Sequence, residues 1–160
     1  MDWPTELHHL MLIVIAGALG GLVGLEREFQ KKPAGLRTHI FASAGAALLM
    51  IVGTAIIENY EQQGSELVES DPLRLVQAIV VGISFLGAGT ILHEKDKGVE
   101  GLTTAASIFL TTGIGIATAV EEYVLAGGTA LFSLITLTII GRIEHRVAAK
   151  QNTSNDSKAP

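Results

Sequence analysis

The 160-residue chain has no cysteine, only 4 prolines, and aromatic residues at 5%. The missing cysteine excludes disulfides and thiolate metal sites. A more telling absence concerns charge. The runs Leu10–Leu25, Thr38–Ile57, Leu75–Leu92, Leu102–Val120 and Tyr123–Ile140 contain no Asp, Glu, Lys or Arg, although the chain has 11 basic and 16 acidic residues. At 1.5 Å per helical residue each run is about 24–30 Å long, close to the hydrocarbon core of a bilayer. A water-soluble domain has no reason to repeat that length five times. The expected fold is all-α: a polytopic bundle of five transmembrane helices, at about residues 7–25, 38–57, 73–92, 102–120 and 123–141. Residues 1–146 form one membrane domain, and 147–160 read as a disordered tail because they are polar and lack hydrophobic periodicity. Met1–His9 carries Asp2 and Glu6 and no basic residue, so the first run reads as a retained helix rather than a secretory signal.

Charge is sorted between alternate connections. Arg27, Lys31, Lys32 and Arg37 occupy the first, Lys95 and Lys97 the third, and Arg142, Arg146, Lys150 and Lys158 the C-terminal segment. Arg74 is the remaining base, in the second connection, which is otherwise acidic and opens helix three at Asp71-Pro72, an N-cap followed by proline at the first helical position. Retention of Lys and Arg on the cytoplasmic side places the N-terminus outside and the C-terminus inside, which an odd helix number requires.

The 18 glycines are concentrated where helices need to approach. Gly17, Gly21 and Gly24 share one face of helix one, and Gly87 and Gly89 close helix three; packing is their expected role. On helix four, Thr104, Ser107, Thr111, Gly115 and Thr118 form one stripe, and on helix three Gln77, Val81, Ser84 and Ala88 form another. Two such stripes facing each other would exchange hydrogen bonds or line a narrow polar path. Interhelical bonds of this kind average about 0.6 kcal/mol, so packing is favoured over permeation. A coupled path usually holds a buried acid, base or histidine, and the histidines here read as interfacial.

The remaining polar chemistry lies at the cytoplasmic edge: Glu26, Arg27, Glu28, Arg37 and Thr38 in the first connection, Glu94, Asp96 and Glu100 in the third. Glu28 continues the Gly17–Gly21–Gly24 face and is expected to point into the bundle, and a Glu28–Arg37 or a Glu26–Arg37 pair is expected to anchor the hairpin. Alternatively the acids converge as oxygen ligands for magnesium, which takes one or two carboxylates and keeps its waters; interleaved Lys95, Lys97 and Arg27 oppose strong affinity. Gly87-Ala88-Gly89 lacks the Lys-Ser/Thr of a phosphate loop, and Gly113-Ile114-Gly115 lies inside an apolar helix. No nucleophile–base spacing is legible. Neither enzymatic activity, a resident cofactor nor a nucleic-acid partner is expected.

Three blocks carry a family resemblance. They are Gly20-Gly21-Leu22-Val23-Gly24-Leu25-Glu26-Arg27-Glu28 with Pro33-Ala34-Gly35-Leu36-Arg37-Thr38, then the stretch from Gln77 through Gly82, Gly87 and Gly89 to Ile91, then Val99-Glu100-Gly101-Leu102-Thr103-Thr104-Ala105-Ala106-Ser107. In this order, across residues 10–145, they resemble the MgtC/SapB family of bacterial membrane proteins. The resemblance implies an inner-membrane protein linked to growth in low magnesium. It implies action through a membrane partner, such as the proton-translocating ATP synthase, more than magnesium transport. The chain looks like the short SapB-type members without the C-terminal ACT-like domain, and it carries Thr103 and Glu100 where MgtC proper has Asn and Arg. A homo-oligomer in the lipid bilayer is expected.

Overall fold

A computed structural model describes residues 3–62, 72–94 and 98–156, the side chains of 92–98 and 142–156 excepted. Five helices and one small hairpin follow in the order α1(Trp3–Phe29), α2(Leu36–Gln62), α3(Pro72–Ala88), β1(Leu92–Glu94), β2(Gly98–Glu100), α4(Leu102–Ala119) and α5(Tyr123–Asp156). Helices α1, α2, α4 and the Tyr123–Gly141 part of α5 are long and apolar enough to cross a membrane; α3, at 17 residues, is shorter. The chain is thus a helical membrane bundle, and the described residues include four helices of that length and a fifth, shorter apolar one.

Helix α4 is the centre. It packs against each of the other four helices, and α1 pairs extensively with α2. The buried positions of α2 (His39, Ala42, Ser43, Ala46, Ala47, Met50 and Ile51) recur every three or four residues and so form one stripe. Small residues dominate the interior: Ala16, Ala47 and Ala126 are fully buried, while Phe41, Phe85, Val124 and Phe132 are exposed. That inversion suits a bilayer. Lipid tails solvate large apolar side chains as well as protein does, so close backbone approach, not apolar burial, selects the interior.

Two helix ends are built alike. Lys32 N–H donates to the Arg27 carbonyl and Lys31 N–H to that of Glu28, with Lys31 at φ 53°. Glu122 N–H donates to Ala117 and Glu121 N–H to Thr118, with Glu121 at φ 62°. Each is a Schellman ending, which uses one left-handed residue to satisfy the last carbonyls and reverse the chain. In the second, His8 Nε2–H donates to the Glu121 carboxylate at 3.0 Å, tying the start of α1 to the α4–α5 turn. The His8 hydrogen bond holds the Glu121 carboxyl below the ordinary carboxylate value. Its stabilising contribution is therefore complete above the ordinary carboxylate pKa and disappears as pH falls through the lowered one. Thermal unfolding should show that acid-side loss in the native chain and a flatter pH profile in His8→Ala. The effect will be small, because the pair is exposed.

The structure corrects three expectations of architecture. The third run does not stay helical to Leu92. Helix α3 stops at Ala88, after which Thr90 and Ile91 N–H groups donate to Gly87 and Ala88 in tight turns. A short antiparallel hairpin follows, with Leu92 opposite Glu100, His93 opposite Val99 and Glu94 opposite Gly98. Gly101 then opens α4 at φ 90°, where a Cβ would strike the Thr90 carbonyl, so only glycine fits. Second, α1 and α2 run past their apolar stretches to 27 residues each, carrying Glu58 and Glu61 on helix rather than loop. Third, residues 147–156 continue α5 instead of forming an unstructured tail. Extending an existing helix through Ala148 and Ala149 requires no new nucleus. Pro72 does open α3, whereas Asp71, its expected N-cap, lies outside the described residues.

Candidate functional site

A buried polar network joins α1, α2 and α4 at the end where α1 leaves the bundle and α2 enters it. Arg27, only 4% exposed, sits in the last turn of α1 on the line of Gly20 and Gly24. Its Nη2 donates to Thr104 Oγ1 at 3.2 Å, and its Nη1 lies 3.9 Å from Glu26 Oε2. One layer deeper is His39, with no exposed surface. Its Nδ1–H donates to the Gly35 carbonyl at 2.9 Å, which makes neutral His39 the Nδ1–H tautomer. Nε2 then meets Ser107 Oγ at 3.1 Å, while that same hydroxyl lies 2.8 Å from the Thr104 carbonyl. One hydroxyl proton therefore serves two acceptors.

The network is incomplete. Glu26 Oε2, Arg27 Nε, Ser43 Oγ and Thr111 Oγ1 are buried without a hydrogen-bond partner. Native interiors leave few such atoms, so a cluster of them needs a physical cause. A cavity of about 290 Å³ opens beside it, lined by Glu26, Arg27, Gln30, Lys32 and Thr103 together with Thr136 and Gly141 of α5. Glu26 and Arg27 thus bring an unmatched acceptor and an unmatched donor to one mouth, next to Lys32. Thr103 lines the same space.

The stripe on α4 behaves as its spacing predicts: Thr104, Ser107, Thr111, Gly115 and Thr118 are all buried. It faces α1 and α2, however, and not α3. Gln77 and Ser84 point outward, and the Ser84 hydroxyl donates to Val80 of its own helix at 2.7 Å. The buried residues of α3 are Ile79 and Gly87, so its polar line lies off the contact and no α3–α4 polar path forms.

The acidic edge is also rearranged. Arg27, not Glu28, enters the bundle: the two differ by about 100° around the helix. Glu28 Oε2 instead accepts the Leu36 N–H at 3.1 Å, capping α2. A Cβ on Gly35 would meet that carboxylate, so a side chain there would displace the Glu28 cap. Arg37 is exposed and pairs with neither Glu26 nor Glu28; Thr38 beside it is half-buried. Among the described residues no three His, Cys, Asp or Glu side chains gather as a metal site. Glu100 lies exposed on β2, the Glu94 side chain and all of Asp96 fall outside the described set, and the expected carboxylate cluster is not assembled from the rest.

The expected packing glycines divide. A Cβ on Gly24 would lie 2.8 Å from His39 Cβ, and one on Gly21 3.1 Å from Ile40. On Gly17 and Gly87 it would find ordinary contacts of 3.6 and 3.7 Å, and on Gly89 its own helix carbonyl at 3.4 Å. Gly20 and Gly115 both approach Ser43 closely, through its Cβ and its backbone carbonyl.

His39, expected at the interface, is buried inside the bundle, a position legible as the first member of the α2 stripe. Arg27 was a candidate from the sequence, and its burial was legible as the next step of the Gly20–Gly24 line.

The sequence pattern of the MgtC family matches residues 13–146. The chain belongs to the MgtC family. It is 33% identical to Protein SapB of Bacillus subtilis over 98% of this chain and 66% of that protein. It is 33% identical to the putative magnesium transporter YhiD of Escherichia coli over 88% of this chain and 64% of the relative. Protein MgtC of Brucella abortus is 35% identical over 72% of this chain and 44% of its own length. The chain thus spans just under two thirds of the first two relatives and under half of the third. No solved structure matches.

Proposed function

We propose that this membrane protein serves magnesium-linked homeostasis by engaging a partner in the bacterial inner membrane, and that it does not itself conduct Mg²⁺. The supporting observation is the placement of Arg27. A guanidinium that stays protonated at any physiological pH stands at the mouth of the α1–α2–α4 interface, hydrogen-bonded to the stripe a cation would need. Fixed positive charge at a narrow entrance repels a divalent cation. Most of the α4 hydroxyls behind it are occupied: Thr112 and Thr118 donate to Ile108 and Ile114 and Ser107 is shared by His39 and Thr104, which leaves Thr111 Oγ1 without a partner. The reading orients the N-terminus outside and the Arg27 end toward the cytoplasm, where Glu26, Arg27 and Lys32 are presented. Its partners are a second copy of the chain or a membrane enzyme such as the ATP synthase, and no catalytic step is assigned.

A relative named as a putative magnesium transporter supports the second reading, a carrier. Purified protein in liposomes containing a magnesium-sensitive dye separates the two. The expected result is leak-level Mg²⁺ entry, unchanged in Thr104→Val. Saturable uptake by the protein alone, lost in that variant, would overturn the partner reading.

A further inference from the structure

The outer surface between α2 and α3 carries a groove of about 610 Å³. Its floor includes Gly45 and Gly82, and a Cβ on either would meet no atom within 4 Å. Small residues in membrane helices ordinarily admit a neighbouring backbone; here they border open space. The groove extends from Arg37 to Leu49 on α2 and from Leu86 to Leu75 on α3. Twelve helical residues cover about 18 Å. That is roughly one leaflet of a ~30 Å hydrocarbon core, so the groove has the depth of a single acyl chain. Almost all of its lining is apolar; of the polar residues, Thr112 donates its hydroxyl to Ile108 of its own helix, whereas Arg37 and Thr38 sit together at one end. Arg37 is exposed and, among the described residues, makes no hydrogen bond or ion pair. Lys31 and Lys32 are exposed on the connection before it.

We infer that this groove binds a phospholipid with an anionic headgroup, its phosphate on Arg37 and Thr38 and one acyl chain along Gly45 and Gly82. Charge complementarity selects the headgroup, since a guanidinium presents paired donors to a phosphate. Depth selects a lipid over a free anion.

Native mass spectrometry of the full chain, purified in mild detergent and offered phosphatidylglycerol and phosphatidylcholine with identical acyl chains, tests this. One retained phosphatidylglycerol is expected, preferred about fivefold, the effect of one basic residue near an anionic lipid surface. Arg37→Gln should bring the two lipids to parity, and Arg37→Lys should keep most of the preference. Gly82→Leu, whose Cβ would stand clear of protein atoms, should fill part of the groove and reduce retention of both lipids. Unchanged preference in Arg37→Gln, unchanged retention in Gly82→Leu, or displacement of the lipid by chain-free glycerol phosphate would each overturn the inference. So would efficient disulfide dimerisation of Gly82→Cys in the membrane, which would assign the groove to a second copy.

Discussion

Replacing Arg27 with alanine is expected to destabilise the protein by about 3–5 kcal/mol, the range for removing one partner from a buried charged pair. The side chain is 4% exposed, so little of its interaction is screened by water. Its removal leaves Thr104 Oγ1 without its donor and Glu26 Oε2, already lacking a hydrogen bond, without its nearest positive charge. The aliphatic stem is lost as well. Arg27→Lys should recover only part, because an ammonium cannot span the Thr104 and Glu26 positions as a planar fork does. The double variant with Glu26→Gln and Arg27→Met should recover more than Arg27→Ala, since it buries no uncompensated charge. Unfolding monitored by far-UV circular dichroism in mixed micelles of increasing dodecyl sulfate content measures all of these. A loss below about 1 kcal/mol for Arg27→Ala would mean that the guanidinium is solvated in the adjoining cavity rather than held in the bundle.

Gly20→Ala and Gly115→Ala should each cost about 3 kcal/mol, at the upper end for overpacking, although alanine is the better helix former by about 1 kcal/mol. A Cβ on Gly20 would stand 2.6 Å from Ser43 Cβ and 2.7 Å from the His39 carbonyl. One on Gly115 would strike the Ser43 carbonyl. These obstacles are backbone or Cβ atoms, which no rotamer change removes, so α1 or α4 has to move away from α2. Gly17→Ala and Gly113→Ala are the controls. The first meets Ala44 and Ile40 at 3.6 Å and the second meets nothing within 4 Å. Both should be neutral or slightly stabilising in the same unfolding measurement. Equal losses at all four positions would show that helix approach at Ser43 is not the limiting contact.

Sequence patterning located the α4 stripe correctly because its hydroxyls and glycine recur at helical spacing against larger apolar neighbours. The same logic failed on α3. Gln77 and Ser84 are also in phase, but the face that packs is that of Ile79, Ile83 and Gly87. A stripe defines a face without defining its partner. In lipid an outward serine can satisfy itself on its own helix, as Ser84 does with Val80. On α1 the glycines offered two adjacent faces, one through Gly17, Gly21 and Gly24 and one through Gly20 and Gly24. The first led to Glu28 as the inward residue, whereas α4, by packing Thr111 over Gly20, drew Arg27 inward.

The sequence by itself determined that this is a helical membrane protein and, through its ordered blocks, which family it belongs to. Both follow from local quantities: the length of uncharged runs, set against bilayer thickness, and the order of residue types along the chain. Tertiary structure decided which charge is buried, that Glu28 caps α2 instead of pairing with Arg37, and that α3 turns its polar line outward. The physical reason is that these depend on the rotation of each helix about its axis. In a bilayer that rotation is fixed by contacts between distant segments, such as Ser43 lying between Gly20 and Gly115. Hydropathy cannot report it where lipid and protein interior are equally apolar.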